Sequence, residues 1–437
     1  MFSKDEPSGK RKNFANPFSI RIFEFVWFRI LLPGFLLVEW GSLDSKTSTL
    51  GTPPKWELLD PWQSTMTRDQ FERTLSEVYC PRKEWWKSWI VLEKDKARIR
   101  KQAGQNQWYH LFFCPKPKKL ADPETKRTSL KGLKIALDPG HIGGKYSEME
   151  GRHFVIGKDA PVKEGDLSLE IAKKLEKILT ALGAEVFLVR DKSEPVTSKQ
   201  PKDFAKEAQE WIAGRGLEKL KKEEKDKLIK KRREMLFYRV SEIHARAKLI
   251  NEKIRPDLVV CLHLNASPWK DPEKKELGET NDFHVLVNGC YMGGELALDD
   301  QRFEMLLRLL NGWHLLERKV AEDMSVALAK ATRLPAFSYR GPNALKIGKV
   351  EGVWARNLLA NRLYRCPVVF LEPYRANSKE AYERIIAGSY KGTREFEGAQ
   401  RAPLLDEYAR TVAEGLVRSF VKPDSNATLP TNRQPSF

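Results

Sequence analysis

The pattern of this chain is dominated by three short apolar runs. Each run ends in, or is closely followed by, an ionisable residue of a type common in active sites. They cover residues 133–138, 258–263 and 368–372. Apolar runs of this length, bounded by Pro, Gly or charged residues, are typical of strands buried on both faces. Between them lie segments with apolar residues at helical spacing, such as 167–175. This alternation predicts a doubly wound α/β fold with a mainly parallel sheet and flanking helices.

A small α+β module is predicted in front of this sheet, over residues 57–116. Thr67 is a favourable N-cap for a helix that continues to Leu75. Short β-rich segments follow at 88–92, 97–100 and 108–113. The module is rich in Trp, and we expect these rings to pack in a small core rather than to stack on sugars.

Two features interrupt the α/β domain, which we place at 129–421. Residues 199–243 carry interleaved Lys and Glu, which predicts an inserted helical hairpin that is either a lid, a partner-binding arm or a solvated decoration. Residues 301–333 predict one long amphipathic helix. The polar tail at 422–437 has the composition of a disordered segment.

The N-terminal segment 1–56 resembles a targeting sequence followed by a linker. A basic cluster at 10–12 precedes an apolar run at 30–38, the order found in secretory signals and short anchors. Glu24 and Arg29 interrupt the longer apolar stretch, and the remaining run is too short to cross a bilayer as a regular helix. A cleaved signal, an interfacial segment and a misassigned start all remain open.

Composition narrows the classes of partner. The net charge of +18 favours contact with an anionic envelope surface or membrane. The basic residues are interleaved with acids and form no nucleic-acid-reading motif, so we expect no nucleic-acid partner. The five cysteines lack Cys-x-x-Cys spacing, which argues against a thiolate zinc site and a disulfide scaffold. A Cys80–Cys114 pair in an oxidising compartment is left open.

Four candidate catalytic residues lie at strand ends or at a helix start. His141 follows the first apolar run, His263 ends the second, Glu372 ends the third, and Glu164 directly precedes a helix. Ligands of open α/β sheets bind at the carboxyl ends of strands. Two His and one Glu are a common ligand set of catalytic zinc, and a further Glu can serve as general base. The sequence therefore predicts a zinc hydrolase site.

Each of these residues also has a structural interpretation. A single His at a strand end is more often structural, Glu164 suits the positive end of a helix, and Glu372 has many basic residues to pair with. The coincidence of all four favours the metal site. Among other residues, His284 is the best additional candidate for substrate contact, although a structural role is favoured. We expect His244 to lie at the surface. Glu148 and Glu150, in the loop after His141, either line the site or are solvated, and we favour the solvated position.

At these positions the chain resembles the zinc-dependent N-acetylmuramoyl-L-alanine amidases, which hydrolyse bacterial peptidoglycan. The resemblance covers about residues 131–420. It is carried by four blocks and two further segments: Asp138-Pro139-Gly140-His141-Ile142-Gly143-Gly144, Glu164 opening a helix, Cys261-Leu262-His263-Leu264-Asn265-Ala266, Leu371-Glu372-Pro373-Tyr374-Arg375-Ala376-Asn377, a helix over 181–190, and Arg246–Asn251. The first block departs from the family pattern by one extra residue, Ile142, between His141 and Gly143-Gly144.

The resemblance implies a function and a role for each residue. The substrate would be peptidoglycan, cut between N-acetylmuramic acid and L-alanine by an exported protein of the periplasm or cell envelope. His141, Glu164 and His263 would bind zinc, and Glu372 would be the base. Three residues would contact substrate: Asn265, Arg356 and Arg375. The alternatives are a zinc amidase acting on another amide or peptide, and a non-catalytic peptidoglycan-binding module, which the presence of Glu372 disfavours.

Overall fold

The computed structural model describes residues 46–116, 127–271 and 273–423. In this part of the chain the strands, numbered in order, are β1 (Ile90–Leu92), β2 (Lys96–Arg100), β3 (Trp108–Phe112), β4 (Lys134–Pro139), β5 (His153–Phe154), β6 (Val162–Lys163), β7 (Glu185–Leu188), β8 (Leu258–Leu262), β9 (Phe283–Val287), β10 (Leu345–Lys346), β11 (Val353–Ala355), β12 (Val368–Pro373), β13 (Arg394–Phe396) and β14 (Ala399–Arg401).

The helices alternate with these strands, and several are extended by a 3-10 or π-helical turn. They are α1 (Arg68–Thr74), α2 (Lys83–Trp86), α3 (Glu164–Ala181), α4 (Ala205–Ala213), α5 (Lys222–Met235), α6 (Glu242–Lys248), α7 (Gly293–Leu296), α8 (Asp299–Asn311), α9 (Trp313–Thr332), α10 (Leu359–Leu363), α11 (Lys379–Ala387) and α12 (Leu404–Phe420).

The three apolar runs form the centre of a seven-stranded sheet with the order β10-β11-β9-β12-β8-β4-β7. The four strands β7, β4, β8 and β12 are parallel. Next to them, β9 runs antiparallel to β12 and parallel to β11. The sheet is therefore mixed but mostly parallel, and the α/β prediction is confirmed.

Helices cover both faces of this sheet. On one face, Ile135 and Leu137 of β4 pack with α3, α9 and α12. On the other face, Ala136 packs with α6 and α10. Alternate residues of a strand point to opposite faces, so a continuous apolar strand supplies both cores at once. Each fully buried Leu or Ile here contributes about 1.5–3 kcal/mol relative to an exposed one.

The N-terminal module is a helical segment followed by the antiparallel sheet β1-β2-β3. Thr67 caps α1 in a reciprocal capping box with Gln70. Its core is shared with the rest of the chain, because Phe71 and Ile99 belong to the same buried cluster as Phe303 and Leu306 of α8. The module and α8 thus enclose one hydrophobic core between them.

Two predicted helices are wrong in their extent. The segment 181–190 is not a helix, because α3 ends near Gly183, whose φ is +90°, and the chain then continues as β7. The single helix expected over 301–333 is broken into α8 and α9 by Gly312, whose φ is +67°. A left-handed Gly is a frequent helix terminator because it lacks a Cβ.

The Lys/Glu-rich insertion contains α4 and α5, which pack against each other, and leads into α6. Phe204 and Leu236, at its two ends, are buried with Ile142. The insertion is therefore anchored beside the loop that follows His141.

The proposed targeting segment lies outside the described residues, apart from 46–56, and so does nearly all of the expected tail at 422–437. Among the described residues, none of the helices combines the length and apolarity needed to cross a membrane.

Candidate active site

The four predicted catalytic residues line one cleft at the carboxyl ends of β4, β8 and β12. The cleft has a volume of about 610 Å³ and includes His141, Glu164, His263 and Glu372. Strand β8 lies between β4 and β12, so the sheet register brings the strand ends together. Glu164 reaches the same point as the first residue of α3.

The loop after β4 is shaped so that His141 turns into the cleft. His141 has a φ of +59°, an uncommon conformation for a residue with a side chain. A Cβ added to Gly140 would lie 2.3 Å from the His263 ring, so only Gly fits where the two loops meet. Gly140 is thus a geometric requirement of the site.

Arg246 on α6 binds the backbone of this loop. Its buried guanidinium donates hydrogen bonds to the carbonyls of Pro139 and His141, both at 2.7 Å. It also pairs with the carboxylates of Asp138 at 2.7 Å and Glu242 at 2.8 Å. Arg246 therefore fixes the backbone of the loop that carries His141.

The potential ligand atoms of His141, Glu164 and His263 all lie within 4.8 Å of one another. His263 Nδ1 is 3.0 Å from Glu164 Oε1, and His141 Nε2 is 3.3 Å from Glu164 Oε2. Zinc bonds of about 2.0–2.1 Å in a tetrahedral arrangement place neighbouring ligand atoms about 3.3 Å apart. The two nitrogens and the carboxylate therefore fit the size and chemistry of a zinc site.

Neighbouring groups orient the two imidazoles. The His263 ring stacks on Phe370, with centroids 4.2 Å apart, and Tyr408 donates a hydrogen bond to the His263 carbonyl at 3.1 Å. Behind His141, Glu150 lies 3.6 Å from Nδ1. Partners of this kind fix the ring orientation of metal-binding histidines.

Glu150 corrects one sequence prediction. It was expected to be solvated, but its side chain is 1% exposed. Its carboxylate accepts hydrogen bonds from the backbone N–H groups of Ile142 and Gly143. Glu148, expected to be solvated for the same reason, is exposed. Burial of Glu150 thus stabilises the turn that presents His141.

The charges of the cleft shift the pKa values of its carboxylates in opposite directions. Burial would raise the pKa of Glu164, but the adjacent His141 and Arg152 outweigh it and hold that pKa well below its ordinary value. Among the described residues, Glu372 has no such partner at hydrogen-bond distance. Burial, together with the like charge of Glu164, raises the pKa of Glu372 to about 8. The two carboxylates are therefore suited to different tasks.

The two imidazoles also differ. Burial lowers the pKa of His263. It acts in the same direction on His141, but there the carboxylates of Glu164 and Glu150 outweigh it and raise the pKa.

A polar row runs along the cleft wall beside Glu372. His284 lies directly opposite Glu372 in the β9–β12 pair. Its Nε2 is 3.0 Å from the Tyr339 hydroxyl, which accepts a hydrogen bond from Arg356 at 3.2 Å. Burial lowers the pKa of His284 to about 3, so its ring is neutral. Sequence analysis found His284 and Arg356 but missed Tyr339, which lies in a loop without a periodic pattern.

The other two predicted substrate contacts also line the cleft. Arg375 is already paired with the Asp282 carboxylate, at 3.0 Å from Nε and 2.9 Å from Nη2. The backbone of Asn265 exchanges hydrogen bonds with the loop after β12, through Tyr374 at 2.9 Å and Ala376 at 2.8 Å. Both residues join the loops that follow β8 and β12.

The structure also bears on two predictions outside the cleft, the position of His244 and the pairing of Cys80 with Cys114. His244, expected at the surface, is partly buried, and burial lowers its pKa. All five cysteines lie in the described residues and are buried free thiols, so the structure contains no Cys80–Cys114 bond.

Comparison with protein families identifies the domain. Residues 135–331 match the profile of the family described as N-acetylmuramoyl-L-alanine amidase. These residues form an N-acetylmuramoyl-L-alanine amidase domain. The match includes the three metal-ligand candidates of the amidase domain and ends before Glu372. The family match assigns residues 135–331 to the enzyme class N-acetylmuramoyl-L-alanine amidase. No curated protein sequence matches the chain.

Solved amidase structures resemble the chain at low identity. The CwlD amidase of Clostridioides difficile, in complex with the GerS lipoprotein, is 12% identical, covers 66% of this chain and 98% of its own, and gives a TM-score of 0.37. Ami1 of Mycobacterium smegmatis is 16% identical over 67% and 98% of the two chains, with a TM-score of 0.35. AmiC2 of Nostoc punctiforme is 15% identical over 66% and 97%, with a TM-score of 0.34. The assignment rests on the family profile.

Proposed function

We propose that this protein is a zinc-dependent hydrolase that cleaves the amide bond between N-acetylmuramic acid and L-alanine in peptidoglycan. The observation that carries the proposal is the cluster of His141, Glu164 and His263, within 4.8 Å, in the cleft of an amidase domain. A second carboxylate, Glu372, lines the same cleft. These are the components of a metal-assisted amide hydrolysis.

The three clustered residues would hold the metal, and Glu164 supplies the anionic ligand. When bound, zinc would polarise the scissile carbonyl and lower the pKa of a coordinated water toward about 7. Arg246 and Glu150 maintain the loop geometry that keeps His141 in place. The zinc ligands would thus be fixed by the fold before substrate arrives.

Glu372 would be the general base. Its backbone belongs to the central strand β12, so the sheet fixes the position from which its side chain enters the cleft. It would accept a proton from the attacking water and deliver it to the leaving amine of L-alanine. In the metal-free site, burial and the like charge of Glu164 raise the pKa of Glu372 to about 8. The positive charge of a bound zinc ion would lower this pKa again and favour the ionised carboxylate that accepts the proton.

Arg356 is the residue of this cleft that we propose to pair with a carboxylate of the stem peptide. Tyr339 holds its guanidinium by a hydrogen bond and by its ring, whose centroid is 5.3 Å away. A guanidinium supported in this way binds a carboxylate with little loss of side-chain freedom. Arg375, which is paired with Asp282, and Asn265 would support the substrate by positioning the neighbouring loops.

The proposed substrate places the protein in the periplasm or cell envelope. The net charge of +18 is compatible with the anionic polymers and surfaces found there.

Mass spectrometry of muropeptides after digestion of purified peptidoglycan tests the proposal. We expect released stem peptides with a free L-alanine amine, and glycan strands that keep an intact lactyl group. Zinc should be present at about one ion per chain, and chelation should abolish release. Cleavage inside the peptide would identify a different amide as the substrate. A protein that stays active without metal would refute the zinc assignment.

A further inference from the structure

The small sheet β1-β2-β3 has two faces of opposite character. Residues on its inner face, such as Ala97, Ile99 and Leu111, are buried in the core shared with α8. The residues between them point the other way, since side chains alternate along a strand. This outer surface, called here the cationic–aromatic face, consists of Lys96, Arg98, Arg100, Trp108, His110 and Phe112.

Two aromatic side chains of this face lie outside the hydrophobic core. Phe112 is 45% exposed, and Trp108 is partly exposed. Neither belongs to the core cluster, which takes in Tyr109 and Leu111 of the same strand. The expectation that the module's aromatics pack in its core therefore fails for these two residues. Exposed aromatic side chains on one face of a sheet are characteristic of interaction surfaces.

The cations of the face are organised around these rings. The guanidinium carbons of Arg98 and Arg100 lie 5.0 and 4.7 Å from the Trp108 ring centroid. Lys96 Nζ lies 5.9 Å from the Phe112 ring. A guanidinium that stacks on an aromatic ring is held in place while its N–H edge remains able to pair with an anion.

The charge of the face is complementary to an anion. Glu93 is the acid paired with it, at 2.6 Å from Arg98 and 3.5 Å from Lys96. In the part of the chain that the structure describes, three cations of the face share this one carboxylate, which leaves the face positive. The positive balance is moderate, which suits a polymer with scattered carboxylates better than a dense polyphosphate.

We propose that the cationic–aromatic face binds peptidoglycan, outside the catalytic cleft. The exposed rings would stack on pyranose faces, and the arginines would pair with carboxylates of the polymer. From Trp108 to Phe112 the face is about 13 Å long, and its three strands span about 10 Å, enough for a short run of sugars. The choice of peptidoglycan as the glycan rests on the proposed function.

Co-sedimentation with purified, insoluble peptidoglycan tests this surface. The full chain is used with Glu372→Gln, so that the polymer is not cut during the measurement. In that background, Trp108→Ala with Phe112→Ala, and separately Arg98→Gln with Arg100→Gln, should weaken binding by about tenfold or more, because each pair removes two contacts. The matched control is Ile386→Ala, an exposed apolar residue of α11 (37% exposed), which should bind like the parent. Thermal melts verify that every variant is folded.

Binding of either face variant at the level of the parent would overturn the inference. Tighter binding of the parent to phosphatidylglycerol vesicles or to single-stranded DNA than to peptidoglycan would also overturn it, since the face would then serve another anion.

Turnover of a soluble muropeptide by the chain with Glu372 intact separates this inference from the proposed function. Trp108→Ala with Phe112→Ala should leave that turnover unchanged, because the face lies away from the cleft. Loss of soluble turnover in this variant would contradict a separate binding surface. Absence of turnover in the parent would refute the proposed function, while the co-sedimentation result would still decide the role of the face.

Discussion

Replacing Glu372 by Gln separates its role in catalysis from its effect on stability. Gln has nearly the same volume, so the cleft keeps its shape while the proton acceptor is lost. General-base loss lowers turnover by about 10² to 10⁴. Zinc content should be unchanged, because the ligand atoms belong to three other residues.

The same substitution should stabilise the metal-free protein at high pH. The pKa of Glu372 is raised from 4.5 to about 8 in the folded state. A carboxyl with a raised pKa favours folding below its unfolded pKa, and that contribution is lost as pH rises toward the folded value. The difference corresponds to an upper bound of about 5 kcal/mol. Because the cleft admits water, we expect about 1–3 kcal/mol.

The assay compares thermal melts of chelated wild type and Glu372→Gln between pH 5 and pH 9, with muropeptide turnover measured on the zinc-loaded proteins. The stability gain should be smallest at pH 5 and grow up to about pH 8. Glu148→Gln, at an exposed carboxylate, is the control and should change neither quantity. Wild-type turnover in Glu372→Gln would remove Glu372 from the mechanism. A stability gain that is independent of pH would refute the electrostatic reasoning.

Three further predictions concern the proposed zinc site and the Lys/Glu-rich insertion. His263→Ala should lose stoichiometric zinc, measured by elemental analysis; retained zinc would show that the ligand set is different. Glu150→Gln should weaken zinc affinity by about 10- to 100-fold in a competition titration, because His141 loses an orienting partner, whereas an unchanged affinity would make Glu150 a purely structural residue. Deleting residues 207–231, within the α4–α5 hairpin, with a short Gly/Ser bridge should leave a folded protein that binds zinc, as judged by thermal melt and metal content, while loss of the fold would show that the hairpin is part of the core. In this variant, higher turnover would indicate a lid and unchanged turnover a decoration.

The residues that sequence analysis placed in the cleft are those whose position follows from the sheet. His141, His263 and Glu372 directly follow or end apolar runs, and parallel strands deliver their carboxyl ends to one edge. Glu150 was misjudged because it reaches His141 through a loop that folds back on itself, and no periodic pattern encodes such a return. Tyr339 was missed for the same reason.

Errors in the secondary structure have local causes. The break at Gly312 was encoded in the sequence, since Gly is the usual residue of a left-handed helix end. The four residues of β7 are too few to establish a period, and their pairing with β4 decides their conformation. Tertiary context therefore prevailed where the local pattern was short.

The core shared by the module and α8 has a consequence for how this protein is divided in the laboratory. A fragment starting near residue 127 would expose the surface of α8 that holds Phe303 and Leu306, which are 2% and 0% exposed in the intact chain. Such a fragment would carry an apolar patch prone to aggregation. Truncation to the matched amidase residues would therefore yield an aggregation-prone protein. A chain for crystallisation or assays is best begun ahead of Trp56, whose ring packs edge-on against Phe303.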